Sequence, residues 1–254
     1  MKLVAHQGTR IFAPENSLPA YHFAGKAGFF AINFARVRAS RDGTLYVMHD
    51  PTVDRTTNGT GALEEMGDAQ VQCLRIDLRE PYAEYQWSDF YPEELRVPTL
   101  EEGIQICLQY GCQPMIRLGI SPEGHERAYT NLFRLIETYR LPGRFLLSGP
   151  LDALAFLDGF FPDTPKIFYS KRSAAEVLSL LDGVPWKNRN TVYAMLHHEM
   201  LTQETVSLLF AAGYRVYSAN PNDKEHPDFA RRRYAELAEL GCEFANAQRS
   251  ASWT

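Results

Sequence analysis

His6 closes the apolar run Leu3-Val4-Ala5 and is followed at once by Gln7 and Gly8. His49 closes a second run, Leu45-Tyr46-Val47-Met48, and is followed by Asp50. Histidine is the side chain whose charge changes nearest to neutral pH, and a carboxylate beside it can hold its tautomer and aim the ring, which is the part open to Asp50. A single histidine in such a chain is usually a surface or hydrogen-bonded core residue. Two of them, each at the end of a strand-like run, share a site if the fold gathers strand ends on one face. His197 and His198, in the stretch "LHHEM", also follow such a run, but no further metal ligands lie in sequence reach and a polar loop is expected.

The elements that must position these residues alternate in type. Strand-like runs occupy residues 2–6, 30–37, 45–48, 113–118, 145–148, 165–169, 192–196, 215–218 and 242–246, with helical patterns at 17–27, 100–110, 128–139, 174–181, 203–212 and 227–240. Repeated alternation over this length predicts an α/β fold, a (β/α)8 TIM-type barrel of parallel strands. The runs exceed eight by one. Asp42-Gly43, set between two of them, is a hairpin signal, so a small antiparallel excursion after the second strand accounts for the surplus. A doubly wound open sheet is the alternative, although no glycine-rich nucleotide loop is present to anchor it. In a barrel, chemistry collects at the carboxyl ends of the strands, where His6 and His49 stand.

Bulk properties narrow the function further. With 254 residues and a hydrophobic content of 45% spread evenly, one domain spanning 1–254 is expected. Net charge is -5 with acids and bases interleaved, which excludes a nucleic-acid footprint. No apolar stretch is long enough for a transmembrane segment or a secretory leader, so a cytoplasmic setting is expected. Cys73, Cys107, Cys112 and Cys242 lack metal-binding spacing and read as reduced thiols.

The blocks "AHQG…PENSLPAYHFAGKAG", "SRDGTLYVMHDPTVDRTTNGTG", "VPTLEEGIQICLQYG" and "LTQETVSLLFAAGYRVYSAN" resemble successive blocks of the glycerophosphodiester phosphodiesterase family over nearly the whole chain. The resemblance implies a β/α barrel that hydrolyses glycerophosphodiesters with two histidines as acid and base and a divalent metal at the barrel mouth. His6 and His49 fall on those histidines, and Glu15 and Asn16 on the family's Pro-Glu-Asn motif.

Departures from the pattern bear on the metal. Gln7 stands where the family has arginine after its first histidine. The family's Glu-x-Asp metal ligands on the second strand become Phe34 and Arg36 when counted back from Asp42-Gly43, or Asn33 and Ala35 when counted forward from Ala27-Gly28. Its Glu-x-Lys on the next barrel strand becomes Arg117 and Gly119. "VYSAN" varies the family's Trp-Thr-Val-Asn block and keeps Asn220, while the closing Thr-Asp is absent. A divalent cation needs hard oxygen ligands, normally one or two carboxylates, so no metal and no other cofactor are expected.

What stands in the place of the ligands suits phosphate. Guanidinium is permanently charged, forked and matched to bidentate contact with phosphate oxygens. Exchanging three carboxylates and an ion for two arginines moves the local formal charge from about minus one to about plus two. Phosphatidylinositol-specific phospholipases C resemble this arrangement in outline, with an arginine where relatives place a metal. Arg117, inside a barrel, needs an anion beside it; Arg36 has that role in one register and is a solvated hairpin residue in the other. The expected ligand is a small phosphodiester or phosphate-bearing molecule, contacted by Arg117, Arg36, Glu15, Asn16, Gln7 and Asn220. Two functions remain: a metal-independent phosphodiesterase, and a catalytically inactive relative that binds a phosphorylated ligand or a partner protein. The aromatic stretch with Tyr82, Tyr85, Trp87, Phe90 and Tyr91 is either a lid or, as is commoner, a loop packed onto the barrel.

Overall fold

The computed structural model describes residues 1–219 and 227–249. Chain order runs β1 (Lys2–His6), α1 (Leu18–Lys26), β2 (Ala31–Ala39), β3 (Leu45–Val47), α2 (Asp68–Cys73), α3 (Leu100–Tyr110), β4 (Gln113–Leu118), α4 (Glu126–Thr138), β5 (Leu146–Ser148), α5 (Leu151–Asp158), β6 (Lys166–Tyr169), α6 (Ala174–Asp182), β7 (Val192–His197), α7 (Gln203–Ala211), β8 (Arg215–Ala219), α8 (Pro227–Glu239) and β9 (Phe244–Ala247). Eight parallel strands close into a ring, because β1 pairs with β9 on one side and with β2 on the other. The surplus strand is β3, antiparallel to β2 with Val37 opposite Val47 and Ala39 opposite Leu45. The turn between them falls at Asp42-Gly43 as expected. Gly43 sits at φ 86°, a conformation that other residues adopt only with strain.

Helix starts follow from local chemistry. The Ser17 hydroxyl accepts from the Ala20 N–H at the start of α1. Thr99 and Glu102 form a reciprocal capping box at the start of α3, which stops at Gly111 in the left-handed region. The helical patterns read from sequence omit α2 and α5; α5 is short, and its mostly apolar residues leave little periodicity to detect.

Two apolar layers result. Val4, Ala31, Met115, Leu146, Ile167, Tyr193, Tyr217 and Phe244 fill the barrel interior. A larger outer layer packs strand faces against helices; in it Phe34 meets Tyr21 edge-on at 4.9 Å and crowds Gly103, where a Cβ would lie 2.8 Å from the Phe34 ring. A third cluster, including Tyr46, Val53, Leu63, Val71 and Val97, anchors the long segment between β3 and α3.

Strand β2 settles the question of register in an unforeseen way. Ala35 pairs with Arg117 and Val37 with Leu118, so Arg36 is an extra residue, a bulge. Before the bulge the forward count holds: Ala31 and Asn33 share the interior face, and Ile32 and Phe34 face the helices. At the bulge parity switches, and Arg36 joins the mouth. Neither gap-free count describes the whole strand.

Candidate functional site at the barrel mouth

At the carboxyl ends of the strands lies a cavity of about 370 Å³. His6 from the end of β1, Arg36 from the β2 bulge, His49 after β3, Arg117 from β4, Tyr169 from β6 and Asn246 from β9 reach it, joined by Arg10, Lys171, Met195, Ala219, Ala247 and Gln248. Each comes from a strand end or the loop beyond it, so closure of the ring is what makes neighbours of residues distant in sequence. Among the described residues, four of the lining side chains are cationic (Arg10, Arg36, Lys171, Arg117), and none is a carboxylate.

The loop after β1 is tightly held. Gln7 and Gly8 take φ 58° and 78°, and a Cβ on Gly8 would stand 2.6 Å from that of Ala20, so α1 comes as close as it does only over glycine. Gln248 clamps the loop from the other end of the chain, its Nε2 donating to the His6 carbonyl at 3.1 Å and its Oε1 accepting from the Arg10 N–H at 2.8 Å. The His6 ring nitrogen Nδ1 lies 3.4 Å from the Asn33 amide nitrogen.

His49 is oriented by its sequence neighbour, with Nδ1 2.6 Å from Asp50 Oδ1. Arg38, buried in the wall, donates to the His49 carbonyl at 3.0 Å. The second Asp50 oxygen accepts from Arg55 Nε, and the Arg55 fork continues to Glu15, Nη2 to Oε1 at 2.7 Å and Nη1 to Oε2 at 3.3 Å. Arg10 lies 3.7 Å from Glu15 and 3.2 Å from Glu80. Burial by itself raises the Asp50 carboxyl, but hydrogen bonds from Arg55 and His49 outweigh it and hold the group below the ordinary carboxylate range. The histidine side of the mouth is thus framed by a network in which each acid already has a cation.

The opposite wall is built differently. Arg117 is only 9% exposed, and no carboxylate of the described residues acts on it. Its guanidinium lies 5.2 Å from the centre of the Tyr169 ring. Burial, and then the charge of Arg36, lower its pKa to about 10. Deeper in the barrel, Tyr217 donates to Asn246 Oδ1 at 2.7 Å.

Set against the sequence reading, His6, His49, Arg36 and Arg117 converge on one cavity. Gln7, Glu15 and Asn16 do not line it. Asn16 and Gln7 turn their amides toward the Ala35 carbonyl at 2.7 and 3.5 Å, and Glu15 is held by arginines, so all three brace the loops beneath the histidines. The reason is steric and electrostatic: the left-handed backbone at Gln7 and Asn16 folds them under the strand end, where buried polar groups must find partners. Asn220 lies outside the described residues. Arg10, Tyr169, Lys171 and Gln248 were missed, though Tyr169 and Lys171 end or follow a strand run, which is the signal that marked His6 and His49.

Other candidates sit elsewhere. Tyr85 is buried and packs edge-on against Trp87 and Phe90, and the Glu84 N–H donates to the Ile11 carbonyl, so the aromatic loop is fastened to the barrel and none of its rings lines the cavity. His197, His198 and Glu199 place possible ligand atoms within 4.8 Å of one another, and none of the three lines the mouth cavity. Burial and then His197 lower the pKa of His198. Cys107, Cys112 and Cys242 are buried free thiols and Cys73 is exposed. No described helix is long and apolar enough to cross a membrane.

Comparison with known proteins places this geometry in a context. The profile of the glycerophosphoryl diester phosphodiesterase family matches residues 6–231. Glycerophosphodiester phosphodiesterase of Bacillus subtilis is 35% identical over 239 residues, covering 87% of this chain and 76% of the relative. Human glycerophosphodiester phosphodiesterase 1 is 27% identical over 188 residues, 74% of this chain, which spans half the length of that relative. Among solved structures, an Oleispira antarctica phosphodiesterase in complex with the product sn-glycerol-3-phosphate superposes with a TM-score of 0.76 at 25% identity, covering 98% of this chain and 93% of the other.

Proposed function

We propose that this chain, which belongs to the glycerophosphoryl diester phosphodiesterase family, is a single-domain phosphodiesterase that hydrolyses a glycerol-type phosphodiester without a metal. The observation that carries the reading is the pairing of two histidines with two guanidiniums that have no carboxylate partner among the described residues, in one cavity. The divalent ion implied by the family does not fit these donors. A magnesium or calcium ion asks for several hard oxygens, and the nearby acids Glu15, Asp50 and Glu80 are already engaged by Arg55 and Arg10.

In this reading Arg117 and Arg36 grip the non-bridging phosphoryl oxygens and offset the charge that grows on them as the attacking oxygen bonds to phosphorus. One imidazole removes the proton from the attacking oxygen while the other, protonated, gives one to the departing alkoxide as its bond to phosphorus breaks. Asp50 fixes the ring of His49 and stabilises its imidazolium form, and Asn33 and Gln248 position His6. The sn-glycerol-3-phosphate held by the Oleispira relative has the charge and size this cavity is suited to accept.

A second reading has its own support. Gly119 offers no lysine, and Gln7, in the place of an arginine, points away from the cavity toward Glu15. A phosphate binder without turnover fits those two facts. The decisive experiment incubates purified protein with a panel of glycerophosphodiesters in excess EDTA. Cleavage that disappears in His6→Ala and in His49→Ala is the expected result. Silence across the panel, with phosphate binding intact, selects the binder; cleavage that needs added magnesium or calcium ends the arginine reading.

A further inference from the structure

We infer that the mouth selects diesters whose departing alcohol carries an anionic group, and that Lys171 is the specificity residue that reads it. This rests on the phosphodiester reading above and adds the substrate class. Of the four cationic side chains on the wall, Arg10 is balanced by Glu15 and Glu80. The ion pairs of the mouth stop there: Arg36, Arg117 and Lys171 have no carboxylate partner among the described residues. A phosphodiester carries a single negative charge and offsets one of these three cations. A ligand with a second anionic group offsets two, and so leaves less like-charge repulsion in the cavity.

Position divides the labour. Arg117 is buried and Arg36 is near enough to bear on it electrostatically, on adjacent strands whose register sets Ala35 opposite Arg117. These two forks suit the phosphoryl oxygens. Lys171 follows β6 by two residues and is exposed at the rim, beyond the Tyr169 ring that lies against Arg117. An ammonium there is a mobile point charge, suited to a carboxylate or phosphate projecting from the substrate. The converse follows from the same wall. A cationic alcohol such as choline meets no carboxylate among the described lining residues and is repelled by the positive charge of Arg36, Arg117 and Lys171.

The test reads affinity, so it does not depend on turnover. Calorimetry in EDTA on the His6→Ala protein compares two diesters of nearly equal shape, glycerol-phospho-glycerol and glycerol-phospho-glycerate, with glycerophosphocholine as the cationic member. The glycerate diester is expected to bind about five- to tenfold more tightly than the glycerol diester, and the choline diester more weakly than either. Lys171→Met should shrink the glycerate preference to about twofold or less, and Lys171→Glu should reverse it. Equal affinity for glycerate and glycerol diesters overturns the inference and leaves the phosphodiester reading standing. A preference that survives Lys171→Met overturns the assignment to Lys171. Failure of all three to bind overturns both readings. Lys171 is exposed, so its variants are expected to fold, and circular dichroism checks that they do.

Discussion

Arg117→Met should stabilise the unliganded protein while disabling the site. The native guanidinium is 9% exposed with no carboxylate beside it among the described residues, and burial followed by Arg36 brings its pKa down to about 10. A base whose folded pKa lies below its ordinary value burdens the folded state at every pH below the folded pKa, and the burden fades only as pH climbs from about 10 toward the ordinary arginine value. At about 1.4 kcal/mol per tenfold change in proton affinity, the charge costs on the order of 3 kcal/mol at neutral pH. Its contact with the Tyr169 ring returns roughly 0.5–2 kcal/mol, part of which methionine keeps as packing. The net gain for Arg117→Met is therefore about 1–2 kcal/mol, or a melting temperature higher by roughly 3–6 °C for a chain of this size.

Anion binding should move the other way. A charge-assisted contact is worth about 1.5–3 kcal/mol, so the variant should bind phosphate or a glycerophosphodiester roughly ten- to hundredfold more weakly. Thermal melts with and without inorganic phosphate read both effects in one experiment. Native protein starts lower and gains stability as phosphate saturates it, by about 2.7 kcal/mol at a hundred times the dissociation constant; the variant starts higher and gains little. A variant that melts lower than native protein without phosphate, and rises as much when phosphate is added, refutes the account of Arg117 as a cation waiting for an anion.

Three further outcomes are expected. Asp50→Asn should lower kcat by about a hundredfold with little change in KM, and distort the His49 limb of the pH–rate profile, because the ring loses its aiming partner while phosphate contacts remain. Glu102 is raised by burial but held lower on balance by Arg96 and Thr99, so its contribution to stability is complete above the ordinary carboxylate pKa and lost as pH falls through the depressed folded value; below about pH 4 the melting temperature should fall less steeply in Glu102→Gln than in native protein. Gly103→Ala should cost about 1–3 kcal/mol in a denaturant melt, since the added methyl meets the Phe34 ring at 2.8 Å in a packed layer.

The fold was legible because each barrel strand is a short apolar run bounded by turn residues, and because Asp42-Gly43 announces the one antiparallel excursion. The residues that converge on the candidate site were legible where a chemically distinctive side chain stands at or next to the end of such a run, as His6, His49 and Arg117 do. Arg36 escaped an unambiguous reading for a physical reason: a bulge adds one residue without any change of composition, yet reverses which side chains face inward from that point on. Counting from either end is correct up to Arg36 and wrong past it. Gln7, Glu15 and Asn16 misled in a different way, because a motif reports that residues are needed near a site without saying whether they touch the ligand or hold the loop that does.

The bulge also bears on how the mouth balances its charges. Without it, the inward positions of β2 would be Asn33 and Ala35, and Arg117 would be the one guanidinium without a carboxylate partner among the described lining residues; the extra residue brings a second to the cavity. Two guanidiniums in mutual electrostatic reach destabilise the empty mouth, and that same repulsion is relieved when an anion enters. Strain of this kind contributes to binding only if the surrounding structure is rigid enough to hold the pair together. The closed ring supplies that rigidity, with β2 paired to both β1 and β4 on either side of the cavity. On the histidine side, where the proposed proton transfers would change charges, Glu15 and Asp50 are instead tied to Arg55, so the orientation of His49 is held by a network that an entering anion does not need to reorganise.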